Sequence, residues 1–208
     1  MSYNVIILAS GEGERAKLGY NKVLFKMENG KTVLENACKI FLEDDDCRRV
    51  IVVTNEKYVI NSPKLIKAPG GKTRSESVWN GLQDVNSANV LIHDAARPFL
   101  KKIDLEKIKV ALEKNKAAIL AIKETDTIKY VKNDEVETTL NRDYIYRAVT
   151  PQGFKTELIK RAYKTVLEDC YPITDDASAC EYIGESVKVI EGLSSNIKLT
   201  NPEDFKNI

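Results

Sequence analysis

Unbroken apolar runs alternate with amphipathic stretches along this chain. Val5-Ile6-Ile7-Leu8-Ala9 and Val50-Ile51-Val52-Val53 contain no polar residue, the pattern of strands covered on both faces in a parallel sheet. Leu65 to Ala68, Val90 to Ile92 and Ala117 to Ile122 read as further strands. Between them, apolar residues recur at helical spacing. Leu34, Ala37, Cys38, Phe41 and Leu42 follow a Thr32/Glu35 capping box. Val78, Leu82 and Val85 follow Ser75 and Ser77, either of which could open their helix, and Leu105, Ile108 and Leu112 follow Asp104 as cap. Leu158, Ile159, Ala162 and Val166 follow a cap at Thr156. This rhythm predicts an α/β three-layer sandwich with a mainly parallel sheet and right-handed crossovers. Without a repeat or a linker, residues 1–208 read as a single domain.

The pattern changes between Lys123 and Thr150. Thr127 to Val131 and Val136 to Leu140 alternate apolar and polar residues about Lys132-Asn133-Asp134-Glu135, the signature of an antiparallel hairpin. A lone hairpin is marginal in water, so residues 123–150 are expected to form a protruding β-arm that packs on another subunit. Farther on, a short helix follows Thr174-Asp175-Asp176. Val187 to Ile190 and Ile197 to Leu199 read as the last strands, and Asn201-Pro202 starts a terminal helix.

Charge narrows the choice of partners. With 32 basic and 31 acidic residues the net charge is +1, which draws in neither nucleic acid nor an anionic membrane; any anion must be held by local charge. No apolar run approaches a membrane span and no basic, apolar leader opens the chain, so a cytoplasmic protein is expected. Cys38, Cys47, Cys170 and Cys180 lack CxxC spacing, which points to free thiols with neither a disulfide framework nor a metal site.

Ligands of doubly wound sheets sit at the carboxyl ends of the strands, so the residues just beyond each strand are the informative ones. The first strand leads into Ser10-Gly11-Glu12-Gly13, where glycines allow a tight turn and close approach, and then into Arg15 and Lys22. That is a phosphate-binding arrangement, although a plain tight turn with solvated charges gives the same letters. The third glycine of a dinucleotide fingerprint and the GK[ST] of a P-loop are both absent. Glu12 and Glu14 suit a phosphate cradle only if they point away. Arg74 and Ser77 come after the third strand, near a helix N-terminus, and His93-Asp94-Ala95-Ala96-Arg97-Pro98 ends the fourth. Lys198 adds a late cation. Asp94 is a candidate Mg²⁺ ligand or a helix cap. His93, the only histidine, fits a positional role better than a general base, because phosphoryl-type transfer needs mainly positioning and charge neutralisation. Arg142 and Arg147 lie on or beside the arm's return strand, where a solvated face charge is the alternative reading. No nucleophilic triad or Cys/His metal cluster is evident. Several cations about one aspartate suit a nucleoside triphosphate, Mg²⁺ and a second phosphorylated substrate.

In this order the motifs ASGEGER…NK, GGKTRSESVWNGL, HDAARPF, DTIK, AVTPQGF, TDDASACEYIG and EGLSSNIKLTNPEDF resemble the 2-C-methyl-D-erythritol 4-phosphate cytidylyltransferase family, and they span nearly the whole chain. The resemblance implies a Rossmann-like nucleotidyltransferase that moves CMP from CTP to the methylerythritol phosphate with Mg²⁺ and acts as a homodimer through its arm. Arg15, Lys22 and Lys198 would be the catalytic cations. Ala9, Ser10, Gly11 and Gly13 would cradle the nucleotide. Gly71, Lys72, Arg74 and the hydroxyl of Ser77 would recognise cytosine, and Asp94 would hold the metal between phosphates. Arg97, Thr127, Arg142, Thr150 and Lys198 would serve the second substrate, with the arm residues reaching in from the other subunit.

The chain departs from the family pattern in places. Ser10 replaces a usual alanine, Ala16 a common methionine, and Lys72 an acidic residue in the base-binding turn. Asn21 stands where proline normally precedes the lysine, which predicts a looser loop around Lys22. Ribitol-5-phosphate cytidylyltransferases share most of these motifs, though Ala96 and Ala148 lean toward the methylerythritol enzyme. A catalytically idle nucleotide-binding homologue is the reading from another class, and the retention of Arg15, Lys22, Asp94 and Lys198 argues against it.

Overall fold

The computed structural model describes the whole chain except residues 12, 59 and 207. The strands are β1 (Tyr3–Leu8), β2 (Cys47–Val53), β3 (Leu65–Ala68), β4 (Asn89–Asp94), β5 (Ala117–Lys123), β6 (Lys129–Lys132), β7 (Glu135–Thr139), β8 (Tyr146–Lys155) and β9 (Lys188–Glu191). The helices are α1 (Val33–Leu42), α2 (Arg74–Gln83), α3 (Lys102–Lys114), α4 (Thr156–Glu168) and α5 (Asp176–Tyr182). Among the described residues, seven strands form one sheet in the order β3-β2-β1-β4-β8-β5-β9. Its pairs are parallel apart from β8, which runs antiparallel to both β4 and β5.

The unbroken apolar runs are buried on both faces, and alternate residues supply two cores. Val5, Ile7, Val50, Val52 and Leu91 pack with α1 and α3 through Leu34, Phe41, Ile108 and Leu112. Ile6, Ile51, Val53, Val90 and Ile92 pack with α2 and α4 through Val78, Leu82, Ile159 and Val166. These layers are the expected sandwich. At Gly81 a side chain would lie 2.9 Å from both Ile6 and Val53, so glycine is what lets α2 lie so close on the sheet.

Several element boundaries differ from the expectation. The longest strand, β8, is not evident in the sequence, because Thr150, Pro151 and Gln152 interrupt its apolar run. The sheet accommodates Pro151 at a register shift: Gln152 pairs with Ile119, while Val149 pairs with Leu120. A proline at such an irregularity removes no ladder bond. Thr73 is the N-cap of α2, rather than Ser75 or Ser77. Lys101 and Lys155 precede α3 and α4, not Asp104 and Thr156. Buried Asp104 instead accepts from the Leu193 N–H at 3.0 Å. Ile197–Leu199 is not a strand, and the terminal helix is a single 3-10 turn at Pro202–Phe205.

The hairpin forms its own two-stranded sheet, β6-β7, between β5 and β8. Every residue of both strands is exposed, including Tyr130, Val131 and Val136.

Candidate active site

A cavity of about 660 Å³ opens where β1 and β4 end. Arg15, Lys22, Lys198 and Asp94 all line it, as do Ala9, Ser10, Gly11 and Gly13 from the first loop. Gly71, Lys72, Arg74 and Ser77 form a further part of the wall. Residues far apart in sequence thus meet around Asp94. The carboxylate of Glu12 lies outside the described residues.

Lys22 and Lys198 are held by local structure. Gly13 has φ +73°, and its Cα passes over the Lys22 stem, so that a Cβ there would lie 3.2 Å from Lys22 Cγ. Lys22 Nζ donates to the Leu199 carbonyl at 2.8 Å. Partial burial, then the neighbouring Lys198 and Arg15, lower the pKa of Lys22. Asn21, expected to loosen this loop, has φ −63° and caps the following 3-10 turn by accepting from Val23 N. That is the φ a proline would impose, with a hydrogen bond in place of a ring. Lys198 Nζ donates to Asp94 Oδ2 at 2.8 Å. Its segment is pinned from both sides: Leu199 N donates to Ala96 O, and Arg97 Nη1 donates to Asn196 O.

Asp94 is the electrostatic centre. Burial raises its pKa, but Lys198, Arg74 and Arg97 outweigh that and hold it down at about 2. Arg97 Nε lies 3.6 Å from Oδ2, and Arg74 Nη2 lies 4.0 Å from Oδ1. Arg74 is oriented from behind by Asp176 of the TDDAS stretch, to which it donates two bonds of 2.9 and 2.7 Å. Asp176 is fully buried and also accepts from the Tyr163 hydroxyl.

Thr150 and His93 lie behind Asp94. The Asp94 N–H donates to Thr150 Oγ1 at 3.0 Å, and that hydroxyl lies 3.0 Å from His93 Nδ1. His93 Nε2 lies 3.1 Å from the Arg97 carbonyl, which can only accept. Nε2 therefore carries a proton, and in the neutral ring that burial favours the Thr150 hydroxyl gives its proton to Nδ1. Burial pushes His93 down to about 4. With both nitrogens engaged and no exposed surface, His93 braces the Asp94–Arg97 turn and is in no position to be a base.

The residues expected at the second substrate are not all brought together. Lys198 lines the cavity. Arg97 and Thr150 stand behind Asp94, with the Thr150 hydroxyl fully used. Thr127 and Arg142 are exposed at the base of the arm, outside the cavity lining, where Arg142 Nη1 donates to Thr125 O. The sequence reading missed Asn55 and Val23, which also line the cavity with Thr73 and Ala96. Asn55 lies just past β2, and the strand-end rule finds it once β2 is included.

Among the described residues, no three His, Cys, Asp or Glu side chains gather to cage a metal. Mg²⁺ does not need such a cage: it keeps water and binds one or two carboxylates together with substrate phosphates. Asp94 fits that demand, since among the described residues Oδ1 has no hydrogen-bond partner and no cation closer than Arg74 at 4.0 Å.

An α/β sheet with a cation-lined cavity at its strand ends is the architecture of a nucleotide-binding protein. The family model described as "IspD: 2-C-methyl-D-erythritol 4-phosphate cytidylyltransferase" matches residues 3–207. The enzyme of that name from Actinobacillus pleuropneumoniae serotype 7 is 40% identical over 208 residues, covering 96% of this chain and 91% of the relative. Its counterpart from Halalkalibacterium halodurans is 38% identical, covering 99% and 94%. The crystal structure of the Francisella tularensis enzyme superposes with a TM-score of 0.87 at 30% identity, covering 99% of this chain and 97% of that one. The chain belongs to the 2-C-methyl-D-erythritol 4-phosphate cytidylyltransferase family.

Proposed function

We infer that this enzyme transfers CMP from CTP to 2-C-methyl-D-erythritol 4-phosphate, giving 4-diphosphocytidyl-2-C-methyl-D-erythritol and pyrophosphate. The observation that carries the mechanism is the gathering of Arg15, Lys22 and Lys198 around Asp94 in one cavity. A phosphate oxygen of the acceptor attacks the α-phosphorus of CTP in line, and the bond to pyrophosphate breaks. The attacking oxygen is already anionic near neutral pH, so no proton must be removed. The neutral, fully engaged His93 is consistent with that economy. The chain's task is to hold two polyanions in line and to neutralise the charge growing on the oxygens in transit. Arg15 and Lys22 serve the triphosphate, and Lys198 stands between it and the acceptor phosphate.

Asp94 would hold a divalent cation, most simply Mg²⁺, which when bound neutralises phosphate charge. Arg97 and Thr150 would act on the acceptor by fixing Asp94 and its turn. Thr127 and Arg142 would reach an acceptor only in another copy's cavity, which makes the homodimer, joined through residues 123–150, the working unit. The cytoplasm is its proposed location, and no described helix is long and apolar enough to cross a membrane.

The test is pyrophosphate release with CTP, ATP, UTP and GTP, crossed with methylerythritol phosphate and ribitol phosphate. Activity is expected with CTP and methylerythritol phosphate alone. Equal or faster turnover with ribitol phosphate would overturn the acceptor assignment, and no turnover with any pair would leave a binding protein.

A further inference from the structure

Beside Gly70 and Gly71 the cavity wall is tied together by one hydroxyl, that of Ser77. Ser77 Oγ lies 2.9 Å from the Thr73 carbonyl, 3.0 Å from Gly71 N and 2.9 Å from Ser10 Oγ. A carbonyl only accepts and a backbone N–H only donates. The Ser77 hydroxyl donates to the Thr73 carbonyl, which also takes the Ser77 N–H, and one hydroxyl lone pair takes the Gly71 N–H. The bond between the two hydroxyls must then use the proton of Ser10. Ser77 is only 2% exposed, which shields this arrangement from water. Ser10, half-buried and lining the cavity, is left with lone pairs and no proton for a ligand.

Asn55 stands next to it. Its Oδ1 accepts from Gly70 N at 3.0 Å, which fixes the amide orientation and leaves Nδ2 as a donor with no partner among the described residues. A Cβ built on Gly70 would lie 2.6 Å from Ser10 Cβ and 3.0 Å from Asn55 Nδ2. The wall thus offers an acceptor and a donor side by side.

We propose that Ser10 is a specificity-determining residue that accepts a hydrogen bond from the exocyclic amino group of the pyrimidine, favouring cytosine over uracil, with Asn55 Nδ2 donating to a ring acceptor beside it. This rests on the CTP reading above. Cytosine carries an amino donor at C4 and an acceptor at N3, whereas uracil carries a keto acceptor at C4 and a donor at N3. A keto oxygen facing Ser10 meets lone pair with lone pair, and Ser10 cannot turn its proton outward without breaking its bond to Ser77. The base selectivity expected of the Ser77 hydroxyl thereby passes to Ser10, with Ser77 setting the polarity.

The test compares CTP and UTP binding by titration calorimetry, without acceptor, in the full-length protein and in Ser10→Ala, alongside kcat/KM for pyrophosphate release. Ser10→Ala is expected to weaken CTP roughly 3–10-fold, the scale of one neutral hydrogen bond. UTP binding should stay within about twofold, so the CTP preference shrinks by the same factor. Ser77→Ala frees the Ser10 proton and is expected to raise UTP relative to CTP, a change that mere loosening of the loop does not produce. An unaltered CTP:UTP ratio in Ser10→Ala would overturn the proposal. Wild-type protein that binds CTP in preference to UTP yet releases no pyrophosphate would instead sink the catalytic reading, leaving the binding ratio to judge Ser10 alone.

Discussion

Lys22 shows how one side chain is made into a preorganised cation. Its stem lies under Gly13, its ammonium is tied to the Leu199 carbonyl, and partial burial, then Lys198 and Arg15, lower its pKa. Such a donor costs nothing to orient when charge grows on a phosphoryl oxygen. Lys22→Ala is expected to lose roughly 10²–10³-fold in turnover, about 3–4 kcal/mol. Near-normal kcat at saturating CTP and Mg²⁺ would remove Lys22 from catalysis. Thr150 acts one layer farther back. Thr150→Val keeps the shape but leaves the buried Asp94 N–H and His93 Nδ1 without their partner. Two orphaned polar groups cost about 2–4 kcal/mol, and a chain of this size should melt roughly 5–15 °C lower. The melting curve of the variant reads this directly, and a midpoint within a degree of wild type would show that the hydroxyl is no brace.

At the scale of elements, legibility in the sequence depends on the surface each segment had to bury. β1, β2 and β4 are covered on both faces along Val5–Leu8, Val50–Val53 and Val90–Ile92, so those stretches are apolar and their exits point to most of the site. β8 is equally buried along Val149 to Phe154, but it carries Thr150 and Gln152 inward to bond Asp94 N and the N-terminus of α5. A strand that uses its interior positions for polar bracing loses the apolar signature. The arm presents the opposite case. Its alternation is plain in the sequence, but no face of β6-β7 is covered within this chain, and Tyr144 is 81% exposed. An isolated two-stranded ribbon is marginal in water, and exposed aromatic and β-branched side chains suit a subunit contact. The protein is expected to run at twice its 23.4 kDa in light scattering, and deletion of residues 127–140 should give the monomer mass. A truncated protein that remained dimeric would defeat the arm-exchange arrangement.

Taken whole, the molecule is two apolar layers sealed against one sheet, and its four cysteines sample both. Cys38 and Cys47 belong to the layer of α1 and α3, and Cys180 to that of α2 and α4. All three are buried, while Cys170 is exposed at the end of α4. Burial is the main cause that pushes the Cys38, Cys47 and Cys180 thiols up to about 12. Only the thiolate is nucleophilic, so at pH 8 these groups would hold on the order of 10⁻⁴ of their reactive form even if a reagent reached them. A disulfide reagent at pH 8 is therefore expected to modify one thiol in the native protein and four in urea. The three slow thiols should react only through opening of the fold, and should do so together, because both layers close on the same strands. Fast modification of Cys180 alone would mean that the α5 side opens independently. That would also loosen Asp176, and with it the hold on Arg74 at the wall of the cavity.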